Sequence, residues 1–121
     1  MLAVGWFPQH EWEVAIDRWP SLAAEMPADH AAYRAAIQQR VQDLRTRMTG
    51  VRLVMVELSV AALDRGAADD NLDAGSAELR GRVATAAALN GKGRVWPPGR
   101  NNPCWCGSTR KYKQCCDTAR S

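Results

Sequence analysis

All four cysteines of this 121-residue chain fall within thirteen residues near its end. They form two close pairs, Cys104/Cys106 and Cys115/Cys116, with eight residues between them. Thiolates are soft donors, and zinc favours four of them in a tetrahedron, a geometry that two short ligand pairs can supply together. The single residue between Cys104 and Cys106 is a shorter gap than the usual two. Gly107 follows directly and can take a positive φ, which lets backbone N–H groups approach the sulfurs. Cys115 and Cys116 can both face one ion if they sit at the end of a helical turn. Two other readings use the same residues. Two disulfides are one, but the cysteines lie in one patch rather than spread as staples, no secretory signal pattern is present, and adjacent Cα atoms lie closer than a disulfide prefers. A redox pair is the other, and its usual spacing is Cys-x-x-Cys.

The surrounding residues carry a family resemblance. Asn102-Pro103-Cys104-Trp105-Cys106-Gly107-Ser108, followed by Lys111-Tyr112-Lys113 and Cys115-Cys116, resembles the SEC-C motif over about residues 99–117. That motif is a short zinc-binding module at the C-terminus of the bacterial preprotein translocase motor ATPase and on many other bacterial proteins. In the translocase it binds the export chaperone and the ribosome. The resemblance therefore implies Cys104, Cys106, Cys115 and Cys116 as zinc ligands and a docking role for the segment. Two positions depart from the translocase form. This chain ends in Cys-Cys where Cys-His is usual there, and Thr109 stands where Gly is common.

The charge is divided unevenly along the chain. From Gly91 onward there are seven basic residues and one acid, a net of +6, against −3 for residues 1–90. Four thiolates around a zinc would carry −2 formally, leaving about +4 for the tail. Arg100, Arg110, Lys111 and Lys113 are the candidate contact residues for an anionic partner, with Trp105 as a contact aromatic. Tyr112 is a second candidate, with packing over the metal as its competing role. The bland alternative is a solvated cluster that screens the site.

A site of this kind needs elements to hold it. Leu2–Phe7 reads as a short apolar strand. Pro8 suits the first position of a helix that carries Trp12, Ile16 and Trp19 at helical spacing and ends before Pro20. Residues 20–27 read as a turn region with room for one helical turn at Leu22–Met26. Asp29 is a good N-cap for a longer helix, whose stripe is Tyr33, Ile37, Val41, Leu44 and Met48. Its other face, Arg34, Gln38, Asp43 and Arg45, is expected to be solvated, and Gly50 is the stop signal. Val51–Leu58 reads as a strand buried on both faces. Strand, helices and strand predict a βαβ-like crossover with two parallel strands.

Ser59 can cap a short helix ending near Gly66. The aspartates of residues 67–76 lack the spacing, Gly and Glu of a calcium loop and read as a polar loop with helix caps. Glu78–Leu89 predicts a last helix with Leu79, Val83, Ala86 and Leu89 inward. Asn90–Gly93 ends that helix and opens a linker, and Trp96–Pro103 reads as an extended arm that Trp96 anchors on the core. The expected organisation is thus a small helix-rich α/β domain (α+β-like) over 1–90, a linker over 91–99 and a zinc-binding module over 100–121.

No catalytic constellation emerges. His10-Glu11 lacks the second His of a metalloprotease helix, and His30 is expected to be exposed. There is no phosphate-cradling loop, dinucleotide fingerprint or nucleophile elbow, and Ser108 has no general base. Twenty alanines and a predominance of Arg over Lys fit a GC-rich bacterial gene. No apolar run reaches the length of a membrane span, so the expected compartment is the cytoplasm. The expected function is a non-enzymatic interaction protein whose zinc module docks on a protein partner, of chaperone or translocation type, or on the ribosome. The alternatives are a nucleic-acid-binding module with RNA contacts through the basic residues, and a thiol redox switch at Cys104/Cys106.

Overall fold

A computed structural model of the chain describes residues 1–117. Its elements in order are β1 (Leu2–Trp6), α1 (Gln9–Arg18), α2 (Pro20–Glu25), α3 (His30–Arg47), β2 (Leu53–Glu57), α4 (Val60–Asp70), α5 (Ala77–Leu89) and β3 (Arg94–Trp96), followed by a 3-10 turn at Tyr112–Gln114. The class is α+β, with five helices and one three-stranded mixed sheet among the described residues.

The sheet order is β1-β2-β3. β1 and β2 run parallel, Leu2 opposite Leu53 and Trp6 opposite Glu57. A parallel pair needs a long crossover, and α1 to α3 supply it as expected. β2 is central, so Leu53, Val54, Met55 and Val56 are all buried, which is why its apolar residues do not alternate with polar ones. The third strand corrects the expectation of two. β3 pairs antiparallel with β2, Trp96 opposite Leu53, and it lies inside the 91–99 stretch read as a linker.

Local signals set several boundaries. Asp29 accepts from the Ala32 N–H at 2.8 Å, Ser59 from Ala62 at 3.1 Å and Ser76 from Leu79 at 3.2 Å. Each satisfies one of the orphan donors of a helix N-terminus. The Glu11 carboxylate of α1 reaches across to the Val60 N–H at the start of α4 (2.8 Å), where the helix dipole also favours negative charge. α4 runs past Gly66 to Asp70, further than expected. In α5, Leu79 and Ala84 are buried and Val83 is half-buried, but Ala86 is exposed and Leu89 is 74% exposed, against the expected inward positions. No helix among the described residues is long and apolar enough to cross a membrane.

The core takes in the tail. Trp6, Phe7, Trp12, Tyr33, Ile37 and Val41 share one buried cluster with Trp96, Cys104, Trp105, Tyr112 and Cys116. On α3, Tyr33, Ile37 and Val41 are buried as the stripe predicts, while Leu44 is only partly covered; Met48, just past the helix end, is 38% exposed. Gln38, expected to be solvated, has no exposed surface.

Candidate metal centre

A short antiparallel clasp brings the two cysteine pairs together. Pro103 and Lys111 form a bridge, the Cys104 N–H donates to Arg110 O (2.8 Å), and the Tyr112 N–H donates to Asn102 O (2.8 Å). Between the two arms the chain reverses at Gly107, φ +78°, a left-handed conformation that glycine adopts without a Cβ penalty. The Gly107 N–H turns back to Cys104 O at 3.3 Å. Thr109, where the resembling family favours Gly, also takes a positive φ, +69°. The 3-10 turn at Tyr112–Gln114 then presents Cys115 and Cys116 at its end.

The four Sγ atoms all lie within 4.8 Å of one another. Cys106 and Cys115 sulfurs are 3.5 Å apart, and no disulfide joins any of the four cysteines. A tetrahedral thiolate site with metal–sulfur bonds of about 2.3 Å has sulfurs roughly 3.8 Å apart. The donor set and spacing therefore fit a metal ion, and the four cysteines are the residues that would hold it.

Electrostatics lead to the same fit. Hydrogen bonds from Cys104 and Cys116 hold the Cys106 thiol far below the usual thiol range, against its burial and with help from Ser108. Those same contacts work in reverse on the neighbours. Cys104 is pushed up to about 11, first by its hydrogen bond with Cys106, and Cys116 is pushed up by Cys104, Cys106 and burial. Sulfurs this close cannot all ionise unless a cation sits among them.

Two side chains support the sulfurs from outside. The Ser108 hydroxyl is 3.2 Å from Cys115 Sγ, and its oxygen accepts from the Arg110 N–H at 3.3 Å. The hydroxyl keeps its own proton free to donate to the sulfur. Arg34, from α3, points its guanidinium at the cluster, with Nη1 3.4 Å from Cys106 Sγ and 4.0 Å from Cys115 Sγ. Burial pulls its pKa down, but the hydrogen bond to Cys106 and the charges of Cys106, Cys116 and Cys115 outweigh that, and the net shift is upward. Sequence reasoning placed Arg34 on the solvated face of its helix. Arg34→Ala is expected to weaken metal affinity by about tenfold, the usual scale for an outer partner of a metal ligand. Competition with a chromophoric chelator measures this, and an unchanged affinity would remove Arg34 from the site.

Gln38, one turn further along α3, seats the module. Its Oε1 accepts from the Trp105 indole N–H at 2.8 Å and from the Trp96 indole at 3.4 Å, and its Nε2 donates to the Tyr112 hydroxyl at 2.6 Å. The Trp105 ring also meets Trp6 edge-to-face, centroids 5.0 Å apart. Arg94 of β3 adds a bond to Cys104 O at 3.0 Å. Trp105 is 1% exposed and Tyr112 is 3% exposed. Neither is available as a contact aromatic in this arrangement, which corrects the expectation for Trp105 and supports packing for Tyr112. Arg100, Arg110 and Lys111 are exposed and Lys113 is half-buried. Arg110 is engaged through its guanidinium with Gln114 O. His30, expected to be exposed, is half-buried with Nε2 2.8 Å from Phe7 O.

The family model of the SEC-C motif matches residues 100–116, the stretch that holds the clasp and all four sulfurs. No curated protein and no solved structure matches the chain.

Proposed function

From a SEC-C match and a converged set of four thiols, we propose that this chain is a zinc-holding, non-enzymatic interaction protein. Its module would dock on a protein partner or on the ribosome, in export-linked or translation-linked handling of proteins in the bacterial cytoplasm. The convergence of four sulfurs within 4.8 Å carries the metal reading. Zinc is the ion of choice because it accepts four thiolates in a closed tetrahedron without redox chemistry. A site closed by four protein ligands leaves no position for a reacting water, which supports a structural rather than a catalytic role.

The docking surface we assign is the exposed Arg100, Arg110 and Lys111 with the half-buried Lys113. The burial of Trp105 and Tyr112 favours this reading over the nucleic-acid alternative, which needs exposed aromatics for base stacking. The test is co-sedimentation of the metal-loaded protein with ribosomes across a salt series, beside a variant carrying Arg110→Glu, Lys111→Glu and Lys113→Glu. Salt-sensitive pelleting that the variant loses is the expected result. Absence of pelleting at low salt would remove the ribosome as the partner.

A further inference from the structure

The sheet ends on one side in β1, and its outer edge is open. The Leu2 N–H donates to Arg52 O and the Leu58 N–H to Trp6 O, each at 2.8 Å. In a parallel ladder the same alternate residues make both bonds to a given neighbour. Leu2, Val4 and Trp6 therefore direct their N–H and C=O groups at β2. Ala3 and Gly5 direct theirs outward, where no hydrogen bond is made to them among the described residues. Such groups are a template for another strand unless something covers them.

A groove of about 400 Å³ runs along this edge. Leu2, Ala3, Val4 and Gly5 line it together with Leu44 of α3, Met48 just after α3, and Ala77 and Gly81 of α5. Leu44 and Met48 are the end of the apolar stripe that the core does not absorb. Two cations, Arg40 and Arg80, flank the same groove. Neither forms an ion pair among the described residues, and Arg80 spends one Nη1 donor on Gly75 O at 2.9 Å. Burial holds Arg80 below its ordinary value and the nearby charge of Arg40 adds to this, while Tyr33 and Glu25 act in the opposite direction.

We propose that the β1 edge is a second docking site, which takes an extended, acidic peptide segment of a partner protein by strand addition between α3 and α5. The Ala3 and Gly5 backbone supplies two donors and two acceptors, and main-chain bonds of this kind give affinity while the walls give specificity. Apolar side chains on one face of the added strand meet Leu44 and Met48, carboxylates on the other face meet Arg80, and Arg40 adds positive charge along the same groove. Pairing with a second copy through the same edge would bring like charges together across the interface, so the arginines select an acidic partner over self-association.

The probe is a short peptide of alternating valine and glutamate, added to the full metal-loaded chain, with a valine–lysine peptide as control. The readouts are binding anisotropy and amide hydrogen exchange at Ala3 and Gly5. The acidic peptide is expected to bind saturably and to slow exchange at both amides, and the basic one to do neither. Ala3→Pro removes an outward donor that an edge strand can spare and is expected to abolish binding. Arg40→Glu, at an exposed position, is expected to weaken binding by about tenfold with no change in melting temperature. Equal binding of the two peptides, protection confined to residues 100–116, or protection of Ala3 and Gly5 by self-association without peptide would each overturn the proposal. If Ala3→Pro fails to fold, Arg40→Glu decides. The metal site and ribosome pelleting play no part in this assay, so either site can fail alone.

Discussion

Stripping the metal, or replacing Cys115 with Ala, is expected to lower the stability of the whole chain and not simply to release its tail. Read from sequence, the tail is a separate module behind a linker, and chelation should leave the rest folded. The structure alters that expectation. β3 lies in the supposed linker and pairs with the central strand, and Cys104, Trp105, Tyr112 and Cys116 share a core with Trp6 and Val41. The clasp itself has few backbone bonds and no core of its own, so an ion on the four sulfurs would tie its two arms together and keep Trp105 seated against Gln38 and Trp6. Small metal modules commonly have no stable fold without the ion. Loss of the Trp105 anchor then uncovers Trp6 and strands Gln38. A buried tryptophan lost from its pocket costs about 3–5 kcal/mol. At that scale the melting temperature should fall by roughly 10–20 °C in one cooperative transition. Scanning calorimetry of the loaded, chelated and Cys115→Ala proteins measures it, alongside metal content. One metal per chain retained by Cys115→Ala would overturn the four-cysteine assignment. A melt unchanged on chelation, with only residues 100–117 losing protection, would restore the separate module.

Gln38→Leu should separate seating from metal binding. Leucine fills a similar volume and offers no polar atom. The Trp96 and Trp105 indole N–H groups would then lose their shared acceptor in the core. Each buried polar group so stranded costs about 1–3 kcal/mol, so a loss of roughly 3 kcal/mol is expected. The four sulfurs are untouched, and metal stoichiometry should stay at wild type. Indole N–H chemical shifts of Trp96 and Trp105 report the seating directly, and metal analysis reports the site. A Gln38→Leu protein that melts like wild type would mean that Gln38 does not seat the module. A variant that loses its metal would mean that seating and ligation are one event.

The legible parts of this fold are those whose signals are local. Strand β1, the crossover helices, the buried strand β2 and the caps at Asp29 and Ser59 follow from runs of a few residues. The grouping of the four cysteines follows from their spacing together with the family resemblance. What stayed hidden depends on partners distant in sequence. β3 is three residues between glycines and a proline, and only its pairing with Leu53–Met55 makes it a strand. Gly66 reads as a helix stop, yet α4 passes through it, because a Cβ there would lie 3.1 Å from Val83 and 3.2 Å from Leu79. The glycine is there for close packing against α5. Gln38 and Arg34 were misread for a related reason. A polar residue opposite an apolar stripe is normally solvated, and no pattern within α3 marks a second face that meets residues more than seventy positions away. Trp105 follows from the same contact, since its receptor is in α3 and β1.

Trp105 stands between two ligands in sequence and between Trp6 and Gln38 in space. With an ion on the four sulfurs, that placement would join the abundance of this protein to the supply of the ion. Ligand binding to the native state alone deepens its free-energy well with the logarithm of free ligand. A chain made when the ion is scarce would display indole surface from the tail and sheet together, and proteases and chaperones act on that population. Occupancy of a thirteen-residue segment would thus set how long each copy survives, with no dedicated sensor needed.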